Sequence, residues 1–275
     1  MDAHYPPELI VDLQAKAKEF RREILKMITT AGSGHPGGSL SVIDILTALY
    51  FHVLRHDPKN PAWPDRDRLF LSKGHASAAI YVCLAYAGYF PKEWLASFRK
   101  LGSPLQGHTH LPLAGIEMEG GSLGQGLSVA NGSALAARLD GKNHRIFCVM
   151  GDGEIDEGAV WEASMAAAHF KLDSVTAILD ANTAQQTGYT KDVMNSEPKA
   201  DKWKAFGWTV YEIDGHNFEQ LLWALEPERV VTGKPTFIVA RTMKGKGVSF
   251  MEGVIDFHGK ALTQEELKRA LEELA

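Results

Sequence analysis

Two side chains in the second half of the chain carry oxygen atoms and are spaced so that both could bind one metal ion. Asp152 stands in Gly151-Asp152-Gly153, directly after an apolar run, and Asn182 follows the next apolar run, 30 residues further on. Ligands of open parallel sheets bind beyond the carboxyl ends of the strands, so the two side chains are expected to emerge side by side. A carboxylate, an amide oxygen and a nearby backbone carbonyl suit Mg²⁺, which usually completes its coordination with phosphates and water. The pair therefore predicts a magnesium site that receives a diphosphate.

The Gly-Asp-Gly tripeptide also has a plain structural interpretation, as a turn between a strand and a helix. Such a turn has no need of an amide oxygen one βαβ unit later, which favours the binding interpretation of Asp152 together with Asn182. The glycines on either side of Asp152 are expected to let the backbone approach a bulky anion.

Alternating apolar and amphipathic segments supply the framework for this site. Apolar runs predict strands over residues 69–71, 146–150, 175–179, 209–213 and 236–240. Periodicity and terminal signals predict helices over residues 9–28, 42–53, 76–87, 126–139, 158–171, 199–206, 218–225 and 264–274, with Ser41 capping the second. Apolar strands that alternate with helices indicate the α/β class, with a parallel sheet covered by helices on both faces. We expect residues 1–275 to form a single domain.

Composition restricts the classes of partner and of location. The formal net charge of −5 shows no basic excess, which argues against a nucleic-acid partner. Cys83 and Cys148 both lie in apolar stretches, so neither a disulfide framework nor a paired-cysteine metal site is expected. The amino terminus lacks a signal-type apolar core and no apolar run reaches membrane-spanning length. A cytoplasmic protein without a membrane partner is predicted.

Several motifs carry a resemblance to a known family. Gly151-Asp152-Gly153 followed by Asn182 resembles the thiamine-diphosphate signature, and five further segments resemble transketolases in the same order along the chain. These segments are Ser33-Gly34-His35-Pro36-Gly37, Lys73-Gly74-His75, Gly107-His108, Gly121-Ser122-Leu123-Gly124-Gln125-Gly126 and Phe257-His258-Gly259-Lys260. The resemblance covers nearly the whole chain and implies the thiamine-diphosphate-binding fold of a transketolase diphosphate-binding domain.

The resemblance implies a cofactor, thiamine diphosphate, and a metal ion, Mg²⁺, which Ca²⁺ or Mn²⁺ could replace. The implied metal ligands are Asp152, Asn182 and the carbonyl of Ala184. The groups implied to approach the cofactor are His75, Gly121, Ser122, Leu123, Gly153, Asn182, Lys244 and His258. Ala184 stands where the family more often has a larger aliphatic residue, which predicts weaker packing against the cofactor.

Histidines are implied to face the sugar substrate, because neutral imidazoles can donate to or accept from hydroxyl groups near pH 7. The three implied are His35, His108 and His258. The remaining histidines outside these motifs are expected to be surface residues or satisfied interior ones, and they are His4, His52, His56, His110, His144, His169 and His216.

The resemblance further implies a transketolase reaction, the transfer of a two-carbon ketol unit between sugar phosphates. A partner subunit that carries the pyrimidine-binding domain would complete the enzyme, as a heterotetramer of two copies of each chain, with Glu157 near the contact between copies of this chain. Two alternatives remain: another thiamine-diphosphate reaction, such as 1-deoxyxylulose-5-phosphate synthesis or 2-oxoacid decarboxylation, and a non-catalytic relative that retains the fold. The histidine motifs around His75 and His108 favour the transketolase reaction.

Overall fold

A computed structural model describes residues 5–275, and His4 therefore lies outside the described residues. The strands are β1 (Arg68–Leu71), β2 (Ile146–Gly151), β3 (Val175–Ala181), β4 (Thr209–Asp214) and β5 (Thr236–Arg241). The α-helices are α1 (Pro7–Ala31), α2 (Pro36–Ala48), α3 (Ser77–Ala87), α4 (Gly126–Leu139), α5 (Gly158–His169), α6 (Thr190–Val193), α7 (Lys199–Ala205), α8 (Phe218–Leu225) and α9 (Gln264–Glu273).

The five strands form one parallel sheet in the order β1-β2-β3-β5-β4. Strands β2 and β3 are direct neighbours, and Gly151 at the end of β2 is in register with Asp180 near the end of β3. The chain therefore leaves both strands at the same edge of the sheet. This register brings Asp152 and Asn182 together, as their spacing predicts.

Side chains of each central strand alternate between two cores, one on each face of the sheet. Along β2, Phe147 and Val149 join the core built with α1, α2 and α3, whereas Ile146, Cys148 and Met150 join the core on the opposite face. The second core contains apolar residues of α4, α5 and α7. The predicted α/β class, with helices on both faces of a parallel sheet, is confirmed.

Most predicted elements are present with small shifts at their ends, but the second helix differs. It begins at Pro36 rather than near residue 42, because proline is favoured at the first position of a helix. Ser41 therefore lies inside α2, and its hydroxyl donates to Asp180 at 2.6 Å instead of capping the helix. Residues 49–53 continue α2 as a short π-helix.

Strand β4 departs from the expectation that every strand is apolar throughout. It lies at the edge of the sheet and only one of its six residues, Ile213, is buried. An edge strand covers less of the core, so it tolerates polar residues. Within residues 5–275, no helix combines the length and the apolar character that crossing a bilayer requires.

Candidate active site

A crevice of about 370 Å³ opens beyond the carboxyl ends of β1, β2 and β3. All but one of the site residues predicted from the sequence line it: His35, His75, His108, Gly121, Leu123, Asp152, Gly153, Asn182, Ala184, Lys244 and His258. The exception is Ser122, whose side chain is exposed and is not part of the lining. Glu157 also lines the crevice, where its side chain packs beside Gly124.

The corner between β2 and β3 presents the predicted oxygen ligands. Asp152 uses one carboxylate oxygen, Oδ2, to accept the backbone N–H of Thr183 at 2.6 Å. The other oxygen, Oδ1, is buried and forms an ion pair with Lys199 Nζ, 3.1 Å away, but accepts no backbone hydrogen bond. Asn182 Oδ1 accepts the N–H of Ala184 at 3.1 Å, which fixes the amide orientation. One carboxylate oxygen is thus left for a cation.

The oxygens of Asp152 and Asn182 could bind a divalent ion only together with further ligands from outside the chain. No group of three or more His, Cys, Asp or Glu side chains in residues 5–275 could hold a metal ion. Mg²⁺ characteristically binds through one or two protein oxygens together with substrate phosphates and water. The buried carboxylate of Asp152 and the fixed amide of Asn182 fit that pattern of binding.

Burial raises the pKa of the Asp152 carboxyl, and the Lys199 ammonium and the Thr183 N–H oppose that rise. Thr183 itself adopts a positive φ of 64°, a conformation that costs a non-glycine residue about 1–3 kcal/mol. The strained backbone directs the Thr183 N–H at Asp152 and orders the segment that carries the Ala184 carbonyl. Its position between two predicted metal ligands is typical of a functional site.

Gly153 makes a close contact with a protein side chain that leaves no room for a Cβ atom. A Cβ atom added there would lie 2.6 Å from Cβ of Gln185, so any other residue would displace that side chain. At Gly151 an added Cβ would meet Lys73 at an ordinary 3.6 Å. The contact with Gln185 thus gives Gly153 a packing role, and the expectation that both glycines let an anion approach stays a prediction.

Four imidazole rings that line the crevice form one cluster. The ring of His35 lies 5.3 Å from that of His75, 5.7 Å from that of His108 and 5.6 Å from that of His258, between centroids. The rings of His75 and His258 stack at 5.4 Å. Segments far apart in sequence thus converge on one small volume.

The four rings are neutral at physiological pH. Burial, and then the neighbouring His108, lower the pKa of His35 to about 4. Burial, and then Lys244, lower the pKa of His258 to about 3. Burial also lowers the pKa of His75 and, helped by Arg99, that of His108. Each neutral ring can offer one donor and one acceptor.

Two buried lysines give the crevice its positive charge. Lys73 forms an ion pair with the fully buried Asp180 and donates to Gly38 O at 3.1 Å. Lys244 is 1% exposed and donates to His258 Nδ1 at 2.7 Å, and no carboxylate in the described part of the chain forms an ion pair with it. Burial and the neighbouring Lys73 lower the pKa of Lys244 to about 8. A buried cation without a counter-ion calls for an anionic ligand.

Glu154 and Asp180 support the crevice but were not predicted from the sequence. Glu154 accepts the N–H groups of Gly124 at 2.9 Å and Gly151 at 2.8 Å, and it is also hydrogen-bonded to Ser72. It thereby ties the turn after β2 to the glycine-rich segment before α4. Glu154 could have been predicted, because it is an acidic residue directly after Gly153. No local sequence pattern predicts a role for Asp180.

His216 proves to be a satisfied interior histidine, as expected. Its Nδ1 donates to the buried Asp44 at 2.6 Å, and its Nε2 accepts the N–H of Met243 at 2.8 Å. Asp44 also receives both terminal nitrogens of Arg21. This network anchors the segment that presents Lys244 to the crevice.

The geometry is that of a ligand-binding α/β domain, whose crevice lies beyond the carboxyl ends of neighbouring parallel strands and holds buried lysines and a buried carboxylate. Residues 14–275 match the family model described as the transketolase thiamine diphosphate binding domain. The chain belongs to the transketolase family, of which it is a thiamine-diphosphate-binding part.

The similar proteins include separate subunits as well as longer enzymes. A 6-deoxy-6-sulfo-D-fructose transketolase subunit of Clostridium sp. (strain MSTE9) is 47% identical, with 96% of each chain covered. One of the subunits of an apulose-4-phosphate transketolase, from Actinobacillus succinogenes, is 42% identical over the same shares. The crystal structure of transketolase from Campylobacter jejuni superposes with a TM-score of 0.91 at 38% identity, covering 96% of this chain and 43% of that one. The chain thus spans less than half of the solved enzyme.

Proposed function

We propose that this chain acts as one domain, the diphosphate-binding subunit of a split transketolase that moves a two-carbon ketol unit between sugar phosphates. The observation that carries the proposal is the crevice at the ends of β2 and β3, which holds a buried carboxylate beside a fixed amide and a buried lysine that has no carboxylate partner among the described residues. Similarity over 96% of two chains that are named as subunits supports the separate-subunit form. The cytoplasmic location indicated by the sequence stays a prediction.

Mg²⁺ would be held by Asp152, Asn182 and the carbonyl of Ala184, and Ca²⁺ or Mn²⁺ could take its place. The diphosphate would lie near Gly153, His75, His258 and Lys244, where two neutral imidazoles and one ammonium offer donors to its oxygens. Gly121 and Leu123 would border the ring system. When bound, thiamine diphosphate supplies the carbanion-stabilising centre on which ketol transfer depends.

The chain's own histidines would then handle the sugar hydroxyls. His258 accepts from Lys244 at Nδ1, so its ring proton resides on Nε2 and can be donated. His35 Nδ1 is buried without a partner, and His108 lies at the more exposed side of the cluster. These rings would position hydroxyl groups and exchange protons with them as neutral acids and bases.

The partner is proposed to be a subunit with the pyrimidine-binding domain, which would cover the outer side of the crevice. Glu157 lines the crevice edge and contacts the space beside Gly124, which suits a position at a contact between copies of this chain. The assembly would be a heterotetramer with two copies of each subunit. Cofactor that bridges both chains would tighten their association by mass action.

The test is reconstitution of ketol transfer from separately purified subunits. This chain alone should give no transfer, and activity should appear on mixing with the candidate partner, thiamine diphosphate and Mg²⁺. Donors to compare are a pentose phosphate, apulose 4-phosphate and 6-deoxy-6-sulfo-D-fructose, the last two chosen from the names of the similar proteins. Robust transfer by this chain alone would contradict the split arrangement, and no transfer by any mixture that binds cofactor would contradict the reaction.

A further inference from the structure

Lys199, at the start of α7, places a buried ammonium group beside the metal corner. Its side chain is 2% exposed, and its Nζ lies 3.1 Å from Asp152 Oδ1 and 2.9 Å from Glu197 Oε1. Glu197 is 41% exposed and is also paired with Arg241 at 2.7 Å. Lys199 therefore bridges a buried carboxylate to one at the surface.

The ammonium group of Lys199 contacts Asp152 Oδ1, the same oxygen that a metal ion would bind. Asp152 Oδ2 is already taken by the N–H of Thr183, so Oδ1 is the oxygen left for a cation. Two cations within bonding distance of one carboxylate oxygen repel each other strongly in a buried site. A dication and Lys199 thus cannot both keep their best contacts with Asp152.

We propose that Lys199 is the counter-ion of Asp152 in the metal-free chain and that a divalent cation must displace it from Oδ1. Glu197 provides the place to which the displaced ammonium group can turn, since it is already within hydrogen-bond distance. The inference rests on the proposed metal site at Asp152. This chain should therefore bind a divalent cation weakly when no other ligand is present. It should bind the cation more tightly together with an anionic diphosphate, whose charge offsets the repulsion.

The consequence for stability has a definite direction. Removing Lys199 leaves the Asp152 carboxylate buried without its counter-ion, which destabilises the metal-free chain. A divalent ion that binds Asp152 would then restore more stability than it does in the wild-type chain. A merely structural lysine would lower stability without changing the response to metal.

The experiment uses Mn²⁺ alone as the probe, with free Mn²⁺ measured by electron paramagnetic resonance on the full chain. Lys199→Met should bind Mn²⁺ about tenfold or more tightly than the wild-type chain. Its melting temperature should be lower without metal and should rise further on adding Mn²⁺. Lys204→Met is the matched control: it removes one positive charge from the same helix, where Lys204 is exposed and paired with Asp201. This control should bind Mn²⁺ like the wild type.

Two further variants separate the possible failures. Adding Asp152→Asn to Lys199→Met should abolish the gain in Mn²⁺ affinity, and Lys199→Arg, which keeps the charge, should retain weak binding. If Lys199→Met does not fold, as judged by circular dichroism, Lys199→Gln serves for the same comparison. Unchanged Mn²⁺ affinity in the folded Lys199 variants overturns the inference. Mn²⁺ binding in the presence of thiamine diphosphate that is indifferent to Asp152→Asn overturns the metal site itself.

Discussion

Each of the two edges of the sheet carries a cavity, and the smaller cavity contains the predicted site residues. At the amino-terminal edge a cavity of about 970 Å³ is lined by charged residues that include Arg55, Arg138 and Arg145. Arg55 and Arg145 pair with the buried Asp67, and Arg138 donates to the carbonyls of residues 170 and 171 at 2.8 Å.

At the carboxyl-terminal edge the crevice is less than half as large, but its polar groups are incompletely paired. In the described residues His35 Nδ1 has no hydrogen-bond partner, Lys244 has no carboxylate paired with it, and Asp152 Oδ1 is paired only with the ammonium of Lys199. Buried polar groups are normally satisfied, so orphans mark the place where a ligand is expected. Between these two cavities, the pairing of the lining groups therefore marks the smaller one as the candidate site, although it has less volume.

The largest expected effect tests whether Asp152 is a metal ligand. Asp152→Ala should weaken metal-dependent binding of thiamine diphosphate by more than about 100-fold, beyond what changes outside the first ligand shell usually cost. The fold should persist, because Asp152 lies at a strand end. Calorimetric titration with thiamine diphosphate and Mg²⁺ in the assembled enzyme measures this effect.

Asp67→Asn supplies the control at the other edge of the sheet. It removes a carboxylate that two arginines share, so it should lower the free energy of unfolding by about 3 kcal/mol. Affinity for the cofactor should stay at the wild-type value. If Asp152→Ala chiefly destabilises the fold and Asp67→Asn chiefly weakens cofactor binding, the assignment of cofactor binding to the carboxyl-terminal edge is wrong.

The next effect concerns the histidine cluster. His35→Ala and His108→Ala should each lower kcat about 100-fold, the lower end of the range for general acid–base catalysis. Their affinity for thiamine diphosphate should change little, whereas His258→Ala should reduce both, because His258 accepts from Lys244. Steady-state kinetics with saturating donor, together with calorimetry, separates the two quantities. Normal kcat in the His35 and His108 variants would assign these residues a structural role.

The convergence of these histidines is also where prediction from the sequence was most informative. Alternating apolar segments indicate a parallel sheet, and the strand-end rule then places Asp152 beside Asn182, as the register of β2 and β3 confirms. The motif order suggested a shared site for His35, His75, His108 and His258, and the structure brings their rings together.

Other features depend on contacts between segments that no local pattern reveals. Lys199 and Asp152 are 47 positions apart, and only tertiary packing, in which α7 lies against β4 and β5, places an ammonium beside the carboxylate. The start of α2 at Pro36 was missed because Ser41, a residue type typical of helix caps, gave a competing start signal before Val42. Ser122 was included by motif continuity, although its side chain turns to solvent.

A smaller effect follows from the charge of Lys244. Its lowered pKa, about 8, means that the ammonium is mostly present at pH 7 and is lost as pH rises through 8. Affinity for the anionic diphosphate should therefore decline, by about tenfold between pH 7 and 9.5, since one buried attractive charge disappears. His35 and His258, with pKa values near 4 and 3, do not titrate in this range. Calorimetry across pH measures the decline, which Lys244→Met should flatten; an equally steep decline in that variant would contradict the assignment.

The smallest effect concerns Ala184, which lines the crevice and is 5% exposed. Its proposed role requires only the backbone carbonyl, and its N–H is fixed by Asn182, so the side chain is free to vary. A leucine there adds three carbon atoms of apolar surface beside the proposed cofactor, worth about 1–2 kcal/mol when buried. Ala184→Leu should therefore tighten thiamine diphosphate binding by roughly 5- to 30-fold, measured by calorimetry at pH 7.

Ala137→Leu makes the same addition in the lining of the amino-terminal cavity and is the matched control, since Ala137 is 6% exposed. Filling that cavity should leave cofactor affinity unchanged and affect only stability, because nothing proposed to bind thiamine diphosphate lies there. Weaker binding in Ala184→Leu would show that the small side chain leaves room the cofactor needs. In that case Ala184 adapts the crevice to its ligand, and the loss of packing expected from the sequence is wrong.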